Sequence, residues 1–166
     1  MNAGAFGGET WAHVEKVETI DQRGEIRQRK PEEFVIHYRE VEKPAGEWFL
    51  AGFFRLEHGD VEEAQRCIRD LLDRRSATQP TKQPSCGSTF RNPENDHAAR
   101  LIESIGLKGH CIGGACVSTK HANFIINEKD ATASDLEQLI DYVRQQVAEQ
   151  CGVELVPEVH IVGDVL

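Results

Sequence analysis

An α+β fold is predicted for the 166-residue chain by three observations. Residues 11–56 carry short apolar runs with strand-like alternation, punctuated by turn-forming residues. Residues 61–75 and 134–150 repeat apolar side chains at helical spacing. Between and after those two stretches lie further short apolar runs bounded by Gly, Pro and Asn.

The elements follow in order. Trp11 to Ile20 alternates loosely, and Asp21-Gln22-Arg23-Gly24 supplies a turn from which Glu25 to Gln28 returns. Phe34 to Ile36 reads as a strand leading into His37-Tyr38-Arg39-Glu40. Glu47 to Leu56 is an apolar, aromatic run that suits a buried strand, ended by His58-Gly59-Asp60. Asp60 is an N-cap candidate with Glu63 three residues on. Val61, Ala64, Ile68, Leu71 and Leu72 then fall on one helical face, and the helix is expected to fade near Arg75. Residues 76–84, polar and broken by Pro80 and Pro84, read as a loop.

Downstream, His97 to Ile105 predicts a short helix stopped by Gly106. Gly113 to Val117 and Asn123 to Asn127 predict strands. Ser134 to Gln150 is the clearest helix, with Ser134 and Glu137 as a capping box and an apolar stripe of Leu136, Leu139, Ile140, Val143 and Val147. Gly152 ends it. Val153 to Val162 predicts a last β segment interrupted by Pro157.

Composition narrows the function. Apolar residues make up 39% of the chain and charged residues 28%, as in globular domains. A formal net charge of -9 argues against a nucleic-acid surface, which needs clustered Lys and Arg. No apolar run reaches a membrane span, and the opening residues lack the basic and apolar regions of a signal peptide, so a cytoplasmic protein with no membrane partner is expected. The five cysteines, at 67, 86, 111, 116 and 151, are expected to be reduced packing residues.

Several stretches carry candidate chemistry. The opening Asn2-Ala3-Gly4-Ala5-Phe6-Gly7-Gly8-Glu9 is rich in glycine, which lets backbone approach a ligand and expose N–H groups. It is not a dinucleotide fingerprint. Ser88, in Pro84-Ser85-Cys86-Gly87-Ser88-Thr89-Phe90-Arg91-Asn92-Pro93, follows a glycine and can present its hydroxyl to deliver a proton; the competing reading is a hydroxyl bonded to a loop amide. No Gly-x-Ser-x-Gly elbow is present. Arg39 can clamp a carboxylate, or pair with a nearby glutamate on the surface. Glu158 sits among apolar neighbours in a setting that suits acid–base work, or turns to solvent. Cys111, Cys116 and His121 suggest zinc, but their spacing is not that of a zinc knuckle, and no metal is expected.

These stretches, together with Tyr38-Arg39, Ala99-Arg100-Leu101-Ile102-Glu103, Gly106-Leu107-Lys108-Gly109, Ile112-Gly113-Gly114-Ala115, His121-Ala122-Asn123-Phe124-Ile125-Ile126-Asn127, Ala131-Thr132-Ala133-Ser134-Asp135 and Pro157-Glu158-Val159, resemble the UDP-N-acetylenolpyruvoylglucosamine reductase (UDP-N-acetylmuramate dehydrogenase) family of bacterial peptidoglycan synthesis. The resemblance runs in order over nearly the whole chain. It implies the end of a flavin-binding α+β domain over residues 1–80 and a small α+β substrate domain over residues 81–166. The family's first flavin subdomain has no counterpart in the sequence, so the chain is expected to be a C-terminal portion.

The resemblance further implies FAD and NADPH as cofactors and the enolpyruvyl ether of UDP-N-acetylglucosamine as substrate, handled by a monomer. Hydride reaches the vinyl carbon from reduced flavin, and Ser88 matches the family's proton donor. Arg39 and Glu158 match the residues that flank the substrate carboxylate. Arg75, Gln79 and Asn92 match positions near the UDP-sugar; Asn2, Ala3, Gly4, Gly7 and Gly8 match backbone lining the flavin. Phe6 departs from the family's tyrosine, and Val41 from a small polar residue. The shorter of the family's two architectures is implied by the absence of a long tyrosine-bearing insertion. An expectation of another class is a truncated, non-catalytic UDP-sugar-binding fragment.

Overall fold

A computed structural model describes residues 2–163. The fold is α+β, with mixed helices and antiparallel sheets, and the chain divides into two compact units, Met1–Asp60 and Val61–Leu166.

The first unit is built of antiparallel strands. β1 (Gly4–Ala5) and β2 (Gly8–Glu9) form a minimal hairpin whose turn residues, Phe6 and Gly7, both have positive φ. A one-turn 3-10 segment, Thr10–His13, leads into β3 (Val14–Asp21). β3 pairs with β4 (Ile26–Arg29) on one side and β7 (Glu47–Phe54) on the other, giving the order β4-β3-β7. Asp21 makes the expected turn: its carboxylate accepts from the amides of Arg23 and Glu25 at 2.8 and 3.0 Å. A second hairpin joins β5 (Val35–His37) to β6 (Glu40–Glu42) through Tyr38 and Arg39.

The sheet is pinned by an ionic centre. Glu47 is buried, accepts from Thr19 Oγ1 at 2.6 Å and Arg29 Nε at 2.7 Å, and lies 3.7 Å from Arg27. The Arg29 guanidinium beside it, reinforced by the Thr19 hydroxyl, pushes the Glu47 carboxyl down to about 2. The rings of Trp11, Phe34 and Phe49 pack tilted or edge-on against one another, with centroids 5.0–5.9 Å apart. Contrary to the buried strand expected at 47–56, only Glu47 of β7 is buried. The apolar run is right for a strand, but the described residues of this unit do not supply a second layer to cover it.

The second unit holds a contiguous apolar core. α1 (Val61–Thr78) continues one turn past the expected Arg75, because nothing in Ser76-Ala77-Thr78 forbids helix until the approach to Pro80. β8 (Ser85–Ser88) joins the sheet β8-β11-β10-β9. α2 (Ala98–Ser104) ends before Gly106 at φ 75°. β9 (Cys111–Ile112) and β10 (Ala115–Val117) make a hairpin, and β11 (Phe124–Asn127) lies between β10 and β8. α3 (Ala133–Cys151) packs Leu139, Ile140, Val143 and Val147 against Phe90, Leu101, Ile102, Val117 and Ile125.

Three expectations are corrected here. The strand over 113–117 begins only at Ala115, because Gly113 and Gly114 are the turn of the hairpin. Each is required: a Cβ on Gly113 would lie 2.4 Å from the Asp135 carboxylate, and one on Gly114 the same distance from the Lys129 carbonyl oxygen. The cap of α3 is Thr132 with Asp135, not Ser134 with Glu137. Thr132 Oγ1 accepts from the Asp135 amide at 3.1 Å, and the Asp135 carboxylate accepts from Thr132 N at 3.0 Å. The amides of Thr132 and Gly114 hold that carboxyl below its ordinary value. Finally, residues 153–162 form no strand; Pro157 lacks an N–H, and pairing is confined to one bridge, Phe90 with Pro157.

The cysteines also differ from expectation. Cys111 and Cys116 are directly opposed in the β9–β10 hairpin and joined by a disulfide, with Cα atoms 4.1 Å apart. Backbone bonds on either side of this pair bring its side chains close, as at a non-hydrogen-bonded antiparallel position. The spacing of five residues, unlike that of a zinc knuckle, is the spacing a two-residue glycine turn brings face to face.

Candidate functional site

The expected site residues fall into two groups, one in each unit.

In the first unit, Arg39 and the glycine-rich opening come together. Arg39 sits in the β5–β6 turn at φ 59°, its guanidinium over the Tyr38 ring at 4.7 Å. From there it donates to the Gly4 carbonyl at 2.9 Å and the Asn2 carbonyl at 3.4 Å. Asn2 is the anchor of the opening. It is 1% exposed, donates through Nδ2 to Glu9 at 2.6 Å and the His37 carbonyl at 3.3 Å, and accepts from the Trp11 amide at 3.2 Å. Ala3 is fixed by its carbonyl, which accepts from both the amide and the hydroxyl of Thr10 at 2.8 Å.

Gly4 admits no side chain, since its Cβ would lie 2.5 Å from the Gly8 carbonyl oxygen and 2.9 Å from Arg39 Nη1. Gly7 and Gly8 are the opposite case. Nothing lies within 4 Å of a Cβ on Gly7, whose φ is 85°, and a Cβ on Gly8 would meet only the Ala5 carbonyl oxygen, at 3.8 Å. The loop is therefore held rigidly at one end and presents open backbone at the other. That combination fits a planar cofactor laid against main chain. Glu9 and His37, which hold Asn2, were not selected from the sequence; their only sequence signal is adjacency to the glycines and to Tyr38-Arg39.

In the second unit, Arg75 and Gln79 lie one turn apart at the end of α1, with Arg75 Nε donating to Gln79 Oε1 at 3.2 Å. Both line a cavity of about 580 Å³ with Ser76, Thr81, Ser85, Gly87 and Phe124. Ser88 ends the strand that supplies Ser85 and Gly87, is exposed, and pairs with Phe124 of β11. Gly87, at φ 86°, is the left-handed residue that sets Ser88 at this strand end.

Glu158 joins the same backbone. Its amide donates to the Thr89 carbonyl at 2.8 Å, next to the bridge between Phe90 and Pro157, so Ser88 and Glu158 belong to neighbouring paired segments. Asn123 holds this segment from below. It is 4% exposed, accepts from Phe90 N at 3.0 Å and donates to the Phe90 carbonyl at 2.8 Å, while its own carbonyl accepts from Thr89 N. Asn123 was quoted in the sequence only as part of a motif; a lone buried Asn beside an apolar strand is the signal that points to a positioning role. Asn92 spends its side-chain oxygen on the first amide of α2, accepting from Ala98 N at 3.1 Å.

The zinc set is not assembled as drawn. His121 turns Nδ1 to the Asn123 amide at 3.3 Å, and partial burial holds its imidazole below the ordinary value. Glu128 instead approaches Cys111 and Cys116 within 4.8 Å, but the two sulfurs are bonded to each other. Among the described residues, no helix is long and apolar enough to cross a membrane.

Comparison with known proteins places these geometries in a family context. Residues 79–162 match the family model described as UDP-N-acetylenolpyruvoylglucosamine reductase, C-terminal domain. Over 164 residues the chain is 58% identical to the UDP-N-acetylenolpyruvoylglucosamine reductase of Alkalilimnicola ehrlichii, covering 99% of this chain and 55% of that protein. It is 60% identical to the reductase of Methylococcus capsulatus, covering 99% and 54%. The crystal structure of the Thermus caldophilus UDP-N-acetylenolpyruvylglucosamine reductase superposes with a TM-score of 0.84 at 34% identity, over 96% of this chain and 57% of that one. The chain spans about half the length of the curated relatives it matches.

Proposed function

The chain belongs to the UDP-N-acetylenolpyruvoylglucosamine reductase family, and on that premise we propose that it supplies the substrate domain and part of the flavin domain of an NADPH- and FAD-dependent reductase. That enzyme converts the enolpyruvyl ether of UDP-N-acetylglucosamine to UDP-N-acetylmuramate for peptidoglycan. The functional boundary lies near residue 80, which the start of the family's C-terminal-domain match at residue 79 supports. The contact boundary at Asp60–Val61 is earlier because α1 groups with the second unit.

One observation carries the reading: Arg75 and Gln79, picked as UDP-sugar residues, converge on a single cavity with Ser85 and Gly87 of the strand that ends in Ser88. Arg75 brings a permanent positive charge and a planar fork of donors suited to a diphosphate, and Gln79 orients that fork. The carboxylate end of the substrate falls to Arg39 and Glu158, Arg39 stabilising by its charge, and Glu158 by donating as the neutral acid, the negative charge that develops beside it. Ser88 delivers the proton that quenches this charge at the substrate carbon. Asn2, Ala3, Gly4, Gly7 and Gly8 would hold FAD by main chain, with Gly7 and Gly8 left open to it. When bound, FAD supplies the hydride that it has received from NADPH.

The test is made in the full-length Methylococcus capsulatus relative. Replacing the residue that aligns with Ser88 by alanine is expected to lower kcat about 10²–10⁴-fold while leaving KM near its original value. Unchanged turnover would remove Ser88 from the chemistry. In this chain, Arg75→Ala should weaken UDP binding by about tenfold or more, read by titration calorimetry.

A second reading is a UDP-sugar-binding chain without flavin chemistry of its own, favoured by the fact that the cavity at Arg75 and Gln79 is lined within the second unit alone. A colourless purified chain that binds UDP-sugar supports it; flavin absorbance with substrate-dependent NADPH oxidation excludes it.

A further inference from the structure

We propose that Cys111, Cys116 and Glu128 form a site for a thiophilic divalent cation of the Zn²⁺ class, closed while the two sulfurs are bonded and opened when the disulfide is reduced.

Backbone pairing brings the three residues together. Cys116 of β10 lies opposite Cys111 of β9 on one side and opposite Ile126 of β11 on the other. Alternate residues of a strand share a face, so Glu128, two residues beyond Ile126, comes to the face that carries the cysteines. The intervening positions, Ala115, Val117 and Ile125, belong to the apolar cluster. Glu128 is also tied to the turn that joins the two cysteines. Its amide and that of Lys129 donate to the Gly114 carbonyl at 3.0 and 3.3 Å. One potential ligand atom from each of the three residues lies within 4.8 Å of the other two.

Donor chemistry and access agree with that placement. Two thiolates and a carboxylate suit Zn²⁺, and three protein ligands leave the fourth tetrahedral position to water. Zn–S bonds of about 2.3 Å set two thiolates roughly 3.8 Å apart. Side chains on Cα atoms 4.1 Å apart can span that separation. The Glu128 carboxylate is exposed, and among the described residues no hydrogen bond or ion pair engages it, so turning it to a cation breaks no contact. Cys111 is exposed as well, whereas Cys116 is 4% exposed. A cation thus enters from solvent at Cys111 and Glu128 and is anchored on a buried sulfur. His121 stays outside the set, its Nδ1 accepting from the Asn123 amide.

The opening step is a two-electron reduction. A phosphine or dithiol supplies both electrons, the S–S bond breaks, and each sulfur takes a proton. Cation entry then displaces both thiol protons to water, so uptake weakens as pH falls. Disulfide and metal complex use the same two sulfurs and exclude each other. Nothing in this depends on the family reading.

The experiment takes the whole chain, reduces it with a phosphine, removes the reductant by anaerobic gel filtration and titrates with Co²⁺ as the spectroscopic stand-in for Zn²⁺. The expected result is one equivalent bound with thiolate-to-cobalt charge-transfer absorption, which Zn²⁺ bleaches by displacement. Zn²⁺ should slow iodoacetamide labelling of Cys111 and Cys116 about tenfold or more while the exposed Cys67 keeps its rate. Glu128→Gln should weaken Co²⁺ binding about tenfold or more with circular dichroism unchanged. Cys111→Ala with Cys116→Ala should abolish the absorption. A reduced chain without the charge-transfer band overturns the proposal, as does a band that survives in the double cysteine variant. So does a Glu128→Gln variant that binds as tightly as the parent, or an unreduced chain that binds as tightly as the reduced one. Should the double cysteine variant misfold, labelling of the parent decides: Cys111 and Cys116 left unprotected by Zn²⁺ overturn the site.

Discussion

The two units meet the demand for a core in different ways. Val61–Leu166 gathers fourteen buried apolar side chains into one cluster, from Phe90 and Ala98 through α3 to Leu155. Among its described residues, the first unit buries two apolar side chains, Val17 and Phe34, and alongside them three polar residues, Asn2, Thr19 and Glu47. The first unit is held by hydrogen bonds and charge as much as by apolar contact. A buried ion pair stabilises little compared with well-packed hydrophobic residues, but breaking one leaves a stranded charge. The difference teaches that one apolar cluster organises the second unit from Phe90 onward, although α1 buries no side chain of its own, whereas the first unit is organised around polar anchors.

Both tryptophans, Trp11 and Trp48, lie in the first unit, so their fluorescence reports that unit, while helical circular dichroism is dominated by the second. Phe90→Ala should have the largest effect. Phe90 is 1% exposed within the cluster, and its truncation is expected to cost about 3–5 kcal/mol in the dichroism-monitored urea transition. The tryptophan transition should stay in place; a coincident shift would mean that the units unfold as one.

Acid should then act on the first unit. The folded carboxyl of Glu47, at about 2, lies below its ordinary value of 4.5. The stability it contributes is complete above about 4.5 and is lost as pH falls toward 2. The tryptophan-monitored midpoint should fall across that window, and Glu47→Gln should flatten the dependence. Asp96 is also held at about 2, by Arg100, but that pair links the bend before α2 to an exposed arginine of the helix and should matter less to the second unit. Equal slopes for the two probes would erase the contrast.

The smallest effect is expected at the disulfide. Opening Cys111–Cys116 with dithiothreitol releases a loop of only five residues' separation and should lower the dichroism midpoint by roughly 2 kcal/mol or less. A Cys111→Ala, Cys116→Ala double variant should show no response to the reductant.

Much of the fold was legible because local signals sufficed. α3 appears in the sequence by its stripe and by Gly152, and the structure buries Leu139, Ile140, Val143 and Val147 of that stripe and ends the helix at Gly152. The Asp21 turn was readable for the same reason. The cap of α3 was misread because Asp135 answers two masters, Thr132 and the Gly114 amide 21 residues away, and only the second is invisible in sequence. The disulfide was missed because redox habit, not geometry, set the expectation, although Gly113-Gly114 at the centre of the spacing was the geometric clue. At the candidate site, the residue types of Arg39, Ser88, Arg75 and Gln79 were readable. The supports that place them, Asn2 behind Arg39 and Asn123 behind the segment after Ser88, were not, since each acts through backbone groups distant in sequence.

By itself the sequence determined the α+β class and the helices, because apolar periodicity and glycine stops are properties of neighbours along the chain. Only the tertiary structure decided that Gly4 has no room for a methyl group and that β7 keeps an apolar run uncovered. Each of those depends on which distant backbone arrives within a few ångströms, and no local pattern of residues encodes that distance.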